Sequence, residues 1–250
     1  MNERWLAPWE LADVTGAVVT LDVIRAFSTA AYALAAGASE IFLVGTVEEA
    51  LAFKEQHPGS LAMGEDGGRR PAGFDLSNSP AQASRADLQG RTLVQRTSAG
   101  TQGVLAARHA TRQWCASLVC ASATARAVQA SGLGAPTYVI TGYKRERPAT
   151  AADRGGREDE AAASFIEHVR LGWPIDQQAI VRQVLDSEDA RFTESLGAPH
   201  TDPDDLAFVT RIDAFDFCMP VELSERGLSV RAVKVPAGAP APSAAATRGP

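Results

Sequence analysis

An α/β fold around a largely parallel sheet is predicted by two features of this 250-residue chain. Short apolar runs alternate with stretches of helical periodicity, and helix start and stop signals fall between them. Residues 17–21 (AVVTL) read as a buried strand ending at Asp22, and 28–36 (STAAYALAA) as a helix stopped by Gly37. IFLVG (41–45) is the next strand, and Thr46 with Glu49 has the spacing of a capping box for the helix after it. SLAM (60–63) is a strand that runs into a long polar loop, and Ser79-Pro80 reads as an N-cap followed by proline in the first helical turn. TLVQR (92–96) is a strand, 97–101 a loop, and a helix runs from there through His109. WCASLV (114–119) and TYVITG (137–142) are further strands, with a helix starting near Ser122 between them. Residues 158–171 form an amphipathic helix, stretches near 176–186 and 202–212 are helical, and 216–222 and 228–235 close the fold as strands. Residues 1–235 are expected to form a single domain, with a split into two subdomains near 143–157 as the alternative. The Pro/Ala/Ser-rich residues 236–250 are expected to be a disordered tail.

Composition narrows the function. Hydrophobic residues at 45% and charged residues at 22% are ordinary for a globular protein. A net charge of −6 provides no basic footprint for nucleic acid. An anionic substrate would have to be gathered locally, by arginines, backbone amides or a cation. No apolar run approaches the ~20 residues that span a bilayer, and the first residues lack the pattern of a secretory signal. Three cysteines, Cys115, Cys120 and Cys218, make no disulfide framework, and the expected compartment is the cytoplasm.

The loop GEDGGRRPAGFDLSNSP (64–80) holds three carboxylates, two arginines and four glycines between core elements. A loop of this length inside a domain is usually functional or disordered. It joins 22–29 and 97–101 as one of three loops that follow strand ends on one side of the sheet, where α/β folds bind ligands. Asp22, Glu65 and Asp75 offer hard oxygen ligands of the kind Mg²⁺ prefers. Arg25, Ser28 and Thr29 at a helix start suit an anion, and the TSAGT turn, Thr97 to Thr101, could present its amides as an anion nest. Glu158 and Asp159 add acids at another helix start, where they would also complement the helix dipole.

Other motifs fall short. The strand-then-Asp arrangement at Asp22 resembles the aspartyl nucleophile of haloacid-dehalogenase phosphatases, but their second acid is replaced by Ile24. Cys120 to Arg126 has the Cys-x5-Arg spacing of cysteine phosphatases without the preceding His or a loop glycine. There is no G-x-S-x-G elbow and no G-x-x-x-x-G-K-[ST] loop. His57, His109, His168 and His200 are scattered.

Taken together, the loops resemble the 2-phosphosulfolactate phosphatase family, which acts in coenzyme M biosynthesis. DVIRAFST (22–29) is similar to that family's D-x-L-R-A-T/S-T-T segment, and MGEDGGRRPAGFDLSNSP (63–80) to its G-E-x-x-G…G-F-D-x-G-N-S-P signature. RTSAGT (96–101) is similar to T-T-N-G-T, and REDE (157–160) sits where the family has an E-D pair opening a helix. The resemblance implies a three-layer α/β/α fold with a largely parallel or mixed sheet, and a Mg²⁺-dependent phosphatase acting on 2-phospho-3-sulfolactate or related phosphorylated 2-hydroxy acids. It implies a site of Asp22, Arg25, Glu65, Asp75, Asn78, Ser79, Thr97, Gly100, Thr101, Glu158 and Asp159. Beside these, Ser28, Thr29 and Ser98 are expected to contact the phosphate. Asp22, Glu65, Asp75 and Glu158 are the expected metal ligands, with Asp22 as a covalent nucleophile in place of a metal-positioned water as the alternative. Arg25 is expected to stabilise phosphoryl charge, and Asp159 or Glu65 to be the general acid. The expected partner is a small anionic phosphate ester, with no nucleic acid or membrane, and a homodimer is a compatible assembly. Ser77 replaces a family glycine, Ala99 an asparagine, and Cys120 stands where another asparagine would align. These departures point to altered specificity, with a non-catalytic relative that binds an anionic metabolite as the alternative.

Overall fold

Apolar runs buried on both faces characterise parallel strands, and alternate residues of such a strand feed opposite layers. In the computed structural model, which describes residues 4–145 and 154–236, two strands show this. In β2 (Ala17–Leu21), Ala17, Val19 and Leu21 join one hydrophobic core while Val18 joins another. In β3 (Glu40–Leu43), Ile41 and Leu43 face one layer and Phe42 the other.

The remaining strands are β1 (Trp5–Leu6), β4 (Leu61–Gly64), β5 (Leu76–Ser77), β6 (Thr92–Arg96), β7 (Arg112–Ala116), β8 (Thr137–Ile140), β9 (Phe217–Ser224), β10 (Gly227–Val230) and β11 (Val233–Lys234). Their order in the sheet is β1-β8-β2-β7-β9-β10-β3-β6-β4-β5, with β11 beside β9. The β1-β8-β2-β7 half is parallel, and so is the β3-β6-β4-β5 half. The antiparallel hairpin β9–β10 joins them, pairing outward with β7 and β3. The expected closing strands are therefore central, and the sheet is mixed.

The helices are α1 (Ala26–Ala35), α2 (Val47–Gln56), α3 (Pro80–Arg85), α4 (Gly100–Ala106), α5 (Ala121–Ala130), α6 (Arg157–Leu171), α7 (Gln177–Leu185), α8 (Glu188–Leu196) and α9 (Asp205–Val209). Residues of α5, α6 and α7 share the core of β2, β7 and β8, while α1 and α3 share that of β3, β6 and β10. The Thr46–Glu49 capping box and the Ser79 N-cap with Pro80 are present as expected.

Several boundaries differ from expectation. Helix α1 begins at Ala26, two residues early, because the Asp22 carboxylate accepts the Ala26 amide at 2.8 Å. Strand β7 stops at Ala116 and Leu118–Cys120 forms a 3-10 turn, while α4 ends before His109. Helix α8 was not expected. The expected tail beyond Pro236, and residues 146–153 of the expected subdomain boundary, lie outside the described residues.

Candidate active site

The pairings β7–β9, β9–β10 and β10–β3 are all antiparallel, so the two parallel halves run in opposite senses and the expected single ligand-binding edge is not present. Instead the loops after β2, from one half, and after β4 and β6, from the other, meet at one cavity. Asp22 directly follows β2 and is buried. Gly100, the first residue of α4, rests against it so closely that a Cβ there would lie 2.7 Å from Asp22 Oδ2. Glu65 directly follows β4, and its carboxylate accepts the Ser98 N–H (2.5 Å), the Ser98 hydroxyl (3.0 Å) and the Gly68 N–H (2.6 Å). The loop after β6 is thereby tied to the loop after β4. Between them lies a cavity of about 200 Å³ walled by Asp22, Arg25, Glu65, Asn78, Ser98, Ala99 and, from α8, Asp189 and Phe192.

Arg25 supplies the positive charge. Its guanidinium donates to Asp205 (3.1 Å) and to the His200 carbonyl (3.0 Å), and is 3% exposed. Asn78 is buried, and its Oδ1 has no hydrogen-bond partner among the described residues.

The acids are more numerous than the cations that face them. Burial pushes Asp22 up to about 7; the Ala26 amide opposes this, and the Glu65 and Asp189 charges add to it. Burial, then the charge of Asp159, holds Glu158 well above the carboxylate range, and Glu158 Oε2 is buried without a hydrogen-bond partner among the described residues. Asp159 is raised by burial and by Asp22, and Asp189 by burial. Neighbouring buried carboxyls cannot all ionise cheaply, so this cluster holds protons or calls for a cation. Among the described residues no three His, Cys, Asp or Glu side chains are grouped as a ready metal cage.

The structure corrects several expected roles. Asp75 is not in the cavity wall: its carboxylate accepts the Ala62 amide (2.8 Å) and pairs with Lys54 (2.7 Å), bracing the loop against β4 and α2. Ser28 lies inside α1 and donates to the Val23 carbonyl, while Thr29 Oγ1 is buried without a hydrogen-bond partner among the described residues; neither lines the cavity. Ser79 caps α3 and donates to Asp205. Within the expected nest, Thr97 N–H donates to Thr101 Oγ1 and Thr101 N–H to Thr97 Oγ1, each at 3.0 Å, and Ser98 N–H donates to Glu65, so these three amides are committed within the protein. Asp159 accepts the Val23 (2.9 Å) and Gly142 (3.0 Å) amides, tying the ends of β2 and β8, and is not in the cavity wall. Glu158, in the first turn of α6, is buried and is not in the cavity wall; the Asp189 charge adds to the effects of burial and Asp159 on its proton affinity.

Asp189 and Phe192 in the cavity wall, and Asp205 beside Arg25, carry no sequence signal that marks them for the site. Ser187 caps α8, and Glu188 and Asp189 stand in its first turn, where acids ordinarily do no more than complement the helix dipole. Asp205 sits in an acidic turn that reads as a solvated helix start. Cys120 is buried and its thiol is pushed up to about 11 by burial, so it is no thiolate nucleophile, and Arg126 pairs instead with Asp216.

A family model described as 2-phosphosulpholactate phosphatase matches residues 6–220. A Bacillus subtilis (strain 168) protein named probable 2-phosphosulfolactate phosphatase is 31% identical over 205 residues, covering 82% of this chain and 86% of its own. A Thermus thermophilus protein of the same name is 44% identical over 110 residues, 44% of this chain and 46% of that one. One from Deinococcus radiodurans is 43% identical over 109 residues, 43% and 45% of the two chains. A match that enters at β1 and leaves within β9 takes in every loop around the cavity, and the chain belongs to the 2-phosphosulfolactate phosphatase family.

Proposed function

We propose that this protein is a phosphoric monoester hydrolase that cleaves 2-phosphosulfolactate, or a related phosphorylated 2-hydroxy acid, to the free hydroxy acid and phosphate. The observation that carries this reading is the meeting of Asp22, Glu65 and Asp189 with Arg25 and Asn78 in one small cavity. The names of the relatives point to the same substrate. The cavity volume of about 200 Å³ favours a small ester.

The donor set fits Mg²⁺. Mg²⁺ is commonly held by one or two carboxylates, with substrate phosphate and water completing its shell, so a three-acid cage is not required. Asp22 and Glu65 would hold it, and Glu158 Oε2, without a hydrogen-bond partner among the described residues, reflects a buried acid surplus that a cation would relieve. When bound, the ion would offset phosphoryl charge and lower the pKa of a bound water. Arg25 binds the phosphoryl oxygens with a guanidinium fixed before substrate arrives, so no reorganisation is needed as charge develops. Asn78 offers its side-chain amide to a polar substituent. Asp189, whose carboxyl is held above its ordinary range, donates a proton to the ester oxygen as the P–O bond breaks. Ser98 keeps Glu65 in place.

All three cysteines are free and buried, which agrees with a reducing compartment. Among the described residues no helix is long and apolar enough to cross a membrane.

The test is phosphate release from phospholactate-type esters, with and without the sulfonate, in Mg²⁺ and then in EDTA. Release that requires Mg²⁺ and disappears in Asp22→Asn is expected. Ester binding with no release in either condition would overturn hydrolysis in favour of a non-catalytic binder.

A further inference from the structure

Asp205 lies outside the cavity wall, yet it is fully buried and its carboxylate collects five donors. Oδ1 accepts the Ser79 hydroxyl at 2.6 Å and the Ala81 amide at 3.2 Å. Oδ2 accepts the Thr201 hydroxyl at 2.9 Å, the Asp202 amide at 3.0 Å and Arg25 Nη1 at 3.1 Å. One side chain thus ties the start of α1, the start of α3 and the segment leading into α9. The two residues it secures stand at the cavity: Arg25 lines it, and Ser79 directly follows Asn78, which also lines it.

We infer that Asp205 is a positioning residue for the phosphoryl pocket, setting the Arg25 guanidinium directly and Asn78 through Ser79. The inference rests on the proposed phosphatase reading. Its physical basis is that a buried ion pair is weak evidence for stability, because desolvating two charges consumes most of their attraction. What such a pair supplies well is geometry. An arginine loses much rotamer freedom when fixed, and here that loss is met before the ligand arrives. The His200 carbonyl on the same Nη1 completes the clamp.

Charge and geometry predict opposite signs here, which makes the inference testable. Removing a negative charge beside Arg25 strengthens the field felt by an anion, so electrostatics alone predicts tighter phosphate binding in Asp205→Asn. Loss of positioning predicts weaker binding.

The experiment measures binding of inorganic phosphate by calorimetry, and kcat and KM on a phospholactate ester, in wild type, Asp205→Asn, Arg25→Ala and the double variant. Folding is verified by circular dichroism. The expected result is at least tenfold weaker phosphate binding in Asp205→Asn, a raised KM with a lowered kcat, and, when Asp205→Asn is added to Arg25→Ala, a further loss of no more than about threefold, the share carried through Ser79 and Asn78. A residue that only holds the fold would instead multiply its loss in both backgrounds. Unchanged or tighter phosphate binding in Asp205→Asn, or losses that multiply, would overturn the inference. If Asp205→Asn does not fold, Ser79→Ala decides: threefold or greater weakening of phosphate binding supports the inference and wild-type binding overturns it. A wild-type protein that binds phosphate but releases none from any ester overturns the hydrolase reading alone, because the phosphate-binding comparison of the variants remains readable.

Discussion

Two aspartates with similar sequence settings, Asp22 and Asp75, each follow or precede a short strand and each sit in a loop rich in chemistry. Asp22 faces the cavity with its charge penalised by burial; Asp75 faces Lys54 and an amide of the neighbouring strand. Asp22→Asn is therefore expected to reduce phosphate release by about a thousandfold, since it removes charge at the reacting centre. Asp75→Ala is expected to keep turnover within about threefold while lowering stability by ~1–2 kcal/mol, from one lost amide acceptor and a half-exposed ion pair. Parallel assays of release and thermal unfolding on the two variants check both. A collapse of turnover in Asp75→Ala at full folding would return that residue to the site.

At the scale of elements, loop-to-loop ties matter more than any helix alone. Helix α4 approaches β2 and the residue after it through two glycines: a Cβ at Gly103 would lie 2.9 Å from Thr20 Cγ2, and one at Gly100 2.7 Å from Asp22 Oδ2 and 2.8 Å from Ala26 Cβ. Gly100→Ala is expected to cost ~1–3 kcal/mol and about tenfold or more in kcat by displacing Asp22. Kinetics and denaturant unfolding read the two effects separately. On the other flank, α6 places Asp159 so that one carboxylate joins the loops after β2 and β8. Asp159→Ala leaves the Val23 and Gly142 amides without that acceptor. The expected loss is ~1–3 kcal/mol per stranded donor, seen as a lowered Tm whether or not Mg²⁺ is present.

For the whole molecule, the buried acids make stability depend on pH with a definite sign. Asp22 rises from an ordinary 3.8 to about 7 on folding, so between those values the folded chain binds more protons than the unfolded one. Stability must therefore fall as pH climbs from about 4 to about 7, at up to about 1.4 kcal/mol per pH unit for each such group. Metal-free protein is expected to have a higher Tm at pH 5 than at pH 7.5. Asp22→Asn should flatten that slope, and Mg²⁺ should raise Tm at pH 7.5 more than at pH 5. A Tm profile across pH in EDTA that is identical for wild type and Asp22→Asn would contradict this account of the cluster.

The sequence by itself determined the α/β alternation, most strand cores, the Thr46 and Ser79 caps, and the family with its loop motifs, because each is written in a short contiguous pattern. It also indicated Asp22, Arg25, Glu65, Asn78 and Ser98, which do line the cavity. Tertiary structure alone decided which other polar groups are committed elsewhere: Asp75 to Lys54, Asp159 to two amides, Thr97 and Thr101 to each other. It alone brought in Asp189 and Asp205, whose local sequence is that of ordinary helix starts. The reason is that spacing along a chain reports local hydrogen bonding, whereas the partner of a buried polar group can come from any element the fold brings beside it, 180 residues away for Arg25 and Asp205.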